Sequence, residues 1–249
     1  MLGRGDLSFP MPLRRLTGRE RSSTANWQLA GLLAFTAGVV DIAGYMSLRQ
    51  FTSHMSGTVA AIAADFAAGG VRVFFRPVFV LACFLAGAAF CAVVVNWERR
   101  RNRESLFAVP LLIEALLLAV VPLFGGPQHL FPSLAVLGFA MGLQNAVITK
   151  VSQHEIRTTH VTGMVTDIGI ELGKLFYWNR TTGRTPVLAE RRRLALLSGL
   201  VGLFFAGGAL SAVLFSRAGF GLLLPLAVML AAPTVLPIAS DLQAETAQA

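Results

Sequence analysis

Charged residues are scarce in this chain of 249 residues: they make up 14% of it, while 55% is apolar. A soluble globular protein is about a quarter charged, so this chain has too little polar surface to face water on all sides. Only 2 cysteines are present, Cys83 and Cys91 in one apolar run, which excludes a disulfide-rich secreted scaffold. The apolar fraction also excludes a disordered chain. What remains is an all-α polytopic membrane protein.

The charges that are present are mostly basic, with 21 Lys and Arg against 13 Asp and Glu. In a soluble domain this excess would suggest nucleic-acid binding. Here most arginines stand in short segments beside apolar runs, where they set orientation in a membrane. We therefore expect the lipid bilayer, and no nucleic acid, as a partner.

Six apolar runs are long enough, or nearly so, to cross a hydrocarbon core of about 30 Å. Two weaker stretches, 54–68 and 160–176, are shorter or carry charges, and we expect short interrupted or re-entrant helices there. We divide the chain into a basic tail (1–26), a first membrane repeat (27–125), a second membrane repeat (131–240) and a C-terminal tail (241–249). The six long runs are residues 28–48, 74–97, 105–124, 131–150, 193–215 and 219–239.

The distribution of Lys and Arg predicts the orientation. If the two weak stretches do not cross, 17 basic residues fall on the side of the N-terminus and 4 on the other. If both cross, the split is about 13 to 8. The count favours six spans with both termini in the cytoplasm of a bacterial inner membrane, and seven or eight spans are the alternative.

The second half of the chain repeats the first. LLAFTAGVVDIAGY at 32–45 aligns with VLGFAMGLQNAVIT at 136–149, and TSHMSGTV at 52–59 aligns with TTHVTGMV at 158–165. FLAGAAFCAVVV at 84–95 then aligns with FFAGGALSAVLF at 204–215. Three spans per half put the halves in opposite orientations, so we predict a 3+3 inverted repeat. Such repeats are typical of secondary transporters, although channels and some membrane enzymes also have repeats.

Polar residues at equivalent places in the two halves are the candidate substrate site. Asp41 lies two-thirds of the way through the first span and aligns with Asn145, which follows Gln144. Hydroxyl and glycine residues then precede each weak stretch, where a half-helix would direct its free N–H groups at an anionic group. These are Thr52, Ser53, Ser56 and Gly57 in the first half, and Thr159, Thr162 and Gly163 in the second. The same residue types also serve helix packing in membranes.

Acids and histidines within the membrane segments are candidates for carrying a coupling proton. Glu114 stands in the middle of an apolar span, four residues after Pro110, and its repeat equivalent is about Met229, so this acid is not duplicated. Packing as a protonated side chain is the structural alternative. The full set is His54, Asp65, Glu114, His160, Asp167 and Glu171.

Two enzymatic chemistries find little support. A zinc site from His54, His160 and an acid lacks the usual ligand spacing, and a hydrolase built on Ser56, His54 and Asp65 lacks a nucleophile elbow. No phosphate-binding loop is present. We expect neither a cofactor, nor a metal, nor an enzyme.

GVVDIAGYMSLRQFTSHMSGTV and MGLQNAVITKVSQHEIRTTHVTGMVTDIGIELG resemble the YoaK family of bacterial inner-membrane proteins, over about residues 28–240. Thr-Gly-Asn is frequent in the family's first motif, whereas Ser56-Gly57-Thr58 stands here. The resemblance implies a membrane location and a transport role, without a substrate.

Together these observations predict a secondary transporter of an unidentified small molecule, coupled to protons, with its site at the interface of the repeats. The alternatives are a passive channel, and a membrane-embedded enzyme or partner subunit. Assembly as a homo-oligomer is compatible with the sequence.

Overall fold

A computed structural model of the protein describes residues 17, 23–68, 71–151, 159–178 and 185–246. All regular elements among these residues are helical. Short 3₁₀ turns at Pro127–His129, Gly219–Leu222 and Ala232–Thr234 join some of them. The helices are α1 (Ser23–Leu48), α2 (Met55–Ala67), α3 (Val71–Arg100), α4 (Ala108–Phe124), α5 (Leu130–Val151), α6 (Val161–Phe176), α7 (Arg191–Ala218), α8 (Leu223–Ala231) and α9 (Val235–Thr246).

Four stretches of the described residues are long and apolar enough to cross a membrane: Thr24–Leu48, Phe74–Arg100, Pro127–Val151 and Arg191–Thr246. The last stretch has 56 residues and contains α7 and the pair α8–α9. Gly219 separates them with a φ of +52°, a conformation that favours glycine. The apolar helix α4 has 17 residues, about 26 Å at 1.5 Å per residue. The chain is therefore a multi-pass helical membrane protein.

The short helices α2 and α6 begin and end within one residue of the predicted weak stretches. They have 13 and 16 residues, about 20 and 24 Å of helix, which is less than the hydrocarbon thickness. Each packs along the long helix that follows it, α2 on α3 and α6 on α7.

The two halves are interlocked, because α1 packs against α7 and α5 packs against α3. Glycines make these close approaches: a Cβ atom on Gly38 would overlap the Phe204 carbonyl oxygen, and one on Gly142 would overlap the Phe84 carbonyl oxygen. Gly207 lies equally close to Phe35, as Gly87 does to Phe139. The alignment of the repeats relates these four contacts in two pairs. The Gly38–Phe204 contact corresponds to Gly142–Phe84, and the Gly207–Phe35 contact corresponds to Gly87–Phe139. The small residues allow close backbone packing at both interfaces, as is usual between membrane helices.

The order of contacts gives the relative directions of the helices. Gly31 lies against Leu203 and Gly208 against Ile42, so α1 and α7 run parallel. Gln144 Nε2 donates to the Leu33 carbonyl at 3.0 Å, while Gly44 lies near Leu137. Residues later in α1 therefore contact residues earlier in α5, so these two helices are antiparallel where they cross.

The last predicted run, 219–239, differs in detail from the structure. Pro225, Pro233 and Pro237 fall in this segment, and 3₁₀ turns interrupt its α-helix at 219–222 and 232–234. Proline removes a backbone donor and disfavours a continuous helix. The helix α9 continues through Thr246, into the segment 241–249 that we assign from the sequence to the C-terminal tail.

The polar end of α9 is fixed to the loop between α3 and α4. Asp241 accepts hydrogen bonds from the backbone N–H groups of Glu104 (3.0 Å) and Ser105 (2.8 Å). Arg103 pairs with Glu245 and, at 3.4 Å, with the buried carboxylate of Glu98. Partial burial acts to raise the pKa of Asp241, but the hydrogen bonds from Ser105 and Glu104 and the charge of Arg103 outweigh it, and the pKa is lowered.

Candidate functional site

A cavity of about 490 Å³ lies between the halves, where the polar segments that precede α2 and α6 meet. Both repeats contribute equivalent residues to its wall: Ser53 and Thr159, His54 and His160, Ser56 and Thr162. Phe84 and Phe204 are a further equivalent pair. The remaining lining residues are Asp41, Ile42, Phe51, Met55 and Val161.

Asp41 holds the segment before α2 in place. One carboxylate oxygen accepts hydrogen bonds from the backbone N–H groups of Thr52 (2.9 Å) and Ser53 (2.8 Å) and from the Thr52 hydroxyl. The other accepts the Ser53 hydroxyl. Asp41 is buried, and hydrogen bonds of this kind stabilise a buried carboxylate. The chain after α1 therefore folds back to the level of Asp41 before α2 begins.

Asn145 makes the corresponding contact in the second half. Its Oδ1 accepts a hydrogen bond from the hydroxyl of Thr159, the equivalent of Ser53. Its Nδ2 donates to the carbonyl of Met141 on the same helix at 2.8 Å. The second half thus repeats the side-chain contact of the first half with a neutral amide in place of the carboxylate.

The predicted hydroxyl caps differ from the structure. His54 and His160 hold the N-cap positions of α2 and α6, and neither side chain caps its helix. The hydroxyls of Ser53 and Thr159 are engaged by Asp41 and Asn145 instead. Both N-cap histidines line the cavity, so the N-terminal ends of α2 and α6 lie at the same cavity.

Four other predicted substrate residues lie outside the set that lines the cavity. Thr52 is buried and donates to Asp41, and Gln144 is buried at the α1–α5 crossing. Gly57 lets the His54 ring pack over the first turn of α2, since a Cβ there would lie 3.3 Å from the ring nitrogen. A Cβ atom on Gly163 would meet no described atom within 4 Å outside its chain neighbours and the backbone of its own helix.

The residues predicted to carry a proton divide into two groups. His54 and His160 line the cavity, whereas Glu114 is buried in α4 outside it. Three acids on the short helices also lie outside the lining set. Glu171 pairs with Lys174 at 2.7 Å and accepts the backbone N–H of Glu190. Asp167 pairs with Arg193 at 3.0 Å, and Asp65 is half-buried on α2.

The aromatic side chains of the wall were not predicted. Phe84 and Phe204 stand at the start of the third repeated block, and their equivalence was the signal that could have identified them. The Phe51 ring contacts the His54 ring edge-on, with 6.0 Å between the ring centroids, and stacks on the Tyr45 ring, with 4.7 Å between the centroids. The cavity therefore combines hydroxyls and imidazoles with an aromatic surface.

The described residues offer no cluster of three or more His, Cys, Asp or Glu side chains that could hold a metal ion. Asp65 stands away from the lining that holds Ser56 and His54, so the arrangement gives no support to a hydrolytic triad. The cavity is large enough for a small molecule, and each half of the protein contributes hydrogen-bonding groups to its wall.

Comparison with known proteins identifies the family. The model of the family described as "Protein of unknown function (DUF1275)" matches residues 29–236. The chain belongs to this family. Two relatives of the chain are named as transmembrane proteins, one of them YoaK itself, and the resemblance to the YoaK family is thereby confirmed.

YoaK of Bacillus subtilis (strain 168), a UPF0700 transmembrane protein, is 27% identical over 183 residues, covering 70% of this chain and 79% of the relative. RA0705 of Rhizobium meliloti (strain 1021), another UPF0700 transmembrane protein, is 29% identical over 206 residues and covers 83% of each chain. No solved structure matches the chain. These relatives support the multi-pass membrane assignment, and their names state no substrate.

Proposed function

We propose that this protein is a secondary transporter of a small molecule, built as six spans in a 3+3 inverted repeat, with its substrate in the cavity between the halves. The observation that carries the proposal is the lining of that cavity by equivalent residues from both repeats. Transporters with inverted repeats place their substrates at such an interface, near interrupted helices.

The opposite directions of α1 and α5 support the inverted arrangement. These helices open the two halves and cross antiparallel at the Leu33–Gln144 contact. A two-fold axis that exchanges two antiparallel spans lies perpendicular to both, and hence in the plane of the membrane. A parallel repeat would instead give parallel directions for α1 and α5.

Contacts between distant segments support six spans rather than eight. The Thr17 hydroxyl donates to the Pro233 carbonyl at 2.7 Å, and Glu104 contacts Asp241. Residues 17, 104 and 241 thus belong to one side of the molecule, so an even number of crossings separates each pair. The number of crossings between each pair is even if α2 and α6 do not cross the membrane. By the positive-inside rule this side, with Arg99, Arg100, Arg101 and Arg103, is the cytoplasm of the inner membrane.

The lining of the cavity favours a small molecule with an apolar body and a hydrogen-bond acceptor. Phe51, Phe84 and Phe204 provide an apolar wall. The N-terminal ends of α2 and α6 present partial positive charge and N–H donors. Asp41 already occupies the first of these ends, and the neutral Asn145 stands at the second.

Cysteine accessibility tests the proposal even while the substrate is unidentified. Ser56→Cys and Thr162→Cys are introduced one at a time after replacing Cys83 with Ala and Cys91 with Ser, the residue at the equivalent position 211. Membrane-impermeant thiol reagents are then applied to right-side-out and inside-out vesicles. An alternating-access transporter predicts that each cysteine reacts from both sides, at rates that change in opposite directions when the equilibrium between conformations shifts.

The same experiment separates the alternatives. A passive channel gives simultaneous reaction from both sides and a leak of small solutes from proteoliposomes. An enzyme or partner subunit gives reaction from one side at most, and this result would overturn the transport proposal. Val213→Cys, on an exposed surface of α7 away from the cavity, is the control for nonspecific penetration of the reagent.

A further inference from the structure

Glu114 is a buried acid that the cavity does not use. It lies in the middle of the apolar helix α4 with no exposed surface. Neither of its carboxyl oxygens has a hydrogen-bond partner among the described residues. Buried polar groups in proteins are nearly always hydrogen-bonded. The two unpartnered oxygens of Glu114 are therefore an exception that a bound ligand or a functional role would explain.

Few charged groups surround Glu114. Cys91 on α3 lies within electrostatic range of both Glu114 and Lys150, which stands in the last turn of α5. α4 contains no Lys, Arg or His, and α8, which packs on it, contains no titratable side chain. On α9, which also contacts α4, Asp241 and Glu245 are engaged by the loop between α3 and α4.

An ionised carboxylate at this place would be strongly unfavourable. A charge at the centre of a membrane helix costs about 2.5–3.5 kcal/mol on the insertion scale. A buried charge without a paired cation is also destabilising in soluble proteins. A bound proton removes this cost, and the uncharged acid is the form that fits the apolar environment.

A metal ion is a poorer occupant than a proton. Hard cations need several oxygen ligands around them. The described residues contain no group of three His, Cys, Asp or Glu that could supply them near Glu114. The repeat equivalent, Met229, has no oxygen in its side chain, so the acid is an addition to one half rather than a part of the duplicated scaffold.

We infer that Glu114 is a proton-binding site, separate from the substrate cavity and connected to it through α3 and α5. Both helices pack on α4, and both reach the cavity region: Phe84 of α3 lines it, and Asn145 of α5 holds Thr159. Loss of the proton leaves a charge that is relieved only by water or by approach of Lys150. Proton release is therefore linked to movement of the helices that hold the cavity.

Proton binding is tested directly with a lipid-soluble carbodiimide. The acid proton passes to a carbodiimide nitrogen, the carboxylate oxygen adds to the central carbon, and the acyl group then migrates to nitrogen as a stable N-acylurea, with no leaving group. We expect labelling of Glu114 in the lipid-reconstituted full chain, found by mass spectrometry of the peptide, declining as pH rises. Glu114→Gln should lose it, whereas Asp41→Asn should keep it.

Infrared spectroscopy gives a second readout in the same samples. The protonated carboxylic acid band of the wild type should be absent from Glu114→Gln. If Glu114 is unlabelled at every pH and the band is identical in the two proteins, the inference is overturned. These measurements do not require transport, so they stand even if the cavity cysteines react from one side only.

The connection to the cavity rests on the proposed function and has its own test. The reaction rate of Thr162→Cys is compared at about pH 6 and about pH 8, a range in which histidines also titrate. The thiol of Thr162→Cys also loses its proton over this range, which raises the rate in every variant. We therefore compare the ratio of the two rates: it should differ several-fold between the protein with Glu114 and Glu114→Gln, and it should stay as it is with Glu114 in His54→Gln and His160→Gln. If Glu114→Gln leaves the ratio intact, the connection is wrong, whatever the labelling shows.

Discussion

Asp41 and Asn145 hold equivalent positions in the two halves, and each accepts a hydrogen bond from the hydroxyl of the residue before a cavity histidine. The difference between them is charge. Asp41 also accepts two backbone N–H groups, while Asn145 accepts the Thr159 hydroxyl with a neutral oxygen. The first half is therefore held by charge-assisted bonds, which are about twice as strong as neutral ones.

The first prediction follows from this difference. Asp41→Asn keeps the shape of the side chain but removes the charge, and one amide oxygen must replace two carboxylate oxygens. Hydrogen bonds to charged groups contribute about 1.5–3 kcal/mol, so we expect a loss of stability of about this size. Thermal unfolding of the purified protein in detergent measures it.

Asp65→Asn is the matched control for Asp41→Asn, because it makes the same change on the half-buried face of α2. A substitution of this kind changes stability by about 0.5 kcal/mol or less. Equal losses in the two variants would show that the Asp41 contacts do not hold the segment before α2.

The second prediction concerns the glycine contacts between the halves. In Gly142→Ala the new Cβ overlaps the Phe84 carbonyl oxygen, which is backbone and cannot rotate away. Overpacking of this type costs about 1–3 kcal/mol, and α3 and α5 must separate. Gly202→Ala is the control, because nothing lies within 4 Å of a Cβ there. We expect an unfolding temperature below the wild type for Gly142→Ala and unchanged or higher for Gly202→Ala; the reverse order would contradict the packing.

The repeat makes much of this site predictable from sequence. The weak stretches 54–68 and 160–176 predict two short helices, and their bounds agree within one residue with those of α2 and α6. Alignment of 32–45 with 136–149 pairs Asp41 with Asn145, whose side-chain contacts correspond in the structure. These signals are local, because periodicity and spacing along the chain define them.

The partners of these side chains are less predictable, because they depend on tertiary contacts. The sequence predicts the hydroxyls of Ser53 and Thr159 as helix caps, but a carboxylate and an amide from the preceding spans engage them instead. The ion pairs of Asp167 and Glu171 depend on Arg193, Lys174 and the backbone of Glu190. Lys174 stands three residues after Glu171 on α6 and is visible in the sequence, whereas Arg193 and the backbone of Glu190 come from outside α6.

The third prediction is a pH effect at the end of α9. Because the pKa of Asp241 is lowered in the folded protein, its contribution to stability is present above the ordinary carboxyl pKa of about 4 and is lost as pH falls through the lowered value. Asp241→Asn should remove this dependence and release α9 at neutral pH. Hydrogen exchange of residues 235–246 measures it, and Gln243→Asn on the same helix is the control. Unchanged exchange in Asp241→Asn would show that other contacts hold α9.

The last prediction tests the six-span topology by measuring from which side of the membrane each of three single cysteines is labelled. Glu104 and Asp241 touch, so a cysteine at 102 in the loop beside them must be reached from the same side as one at 245. Gln50, between α1 and α2, follows one crossing and should be reached from the opposite side. Impermeant reagent applied to intact cells should therefore label Gln50→Cys but neither Asn102→Cys nor Glu245→Cys until the cells are opened. Labelling of Asn102→Cys from outside, with Glu245→Cys protected, would require α2 to cross the membrane, and it would exclude the inverted repeat because the halves would then contain an even number of spans.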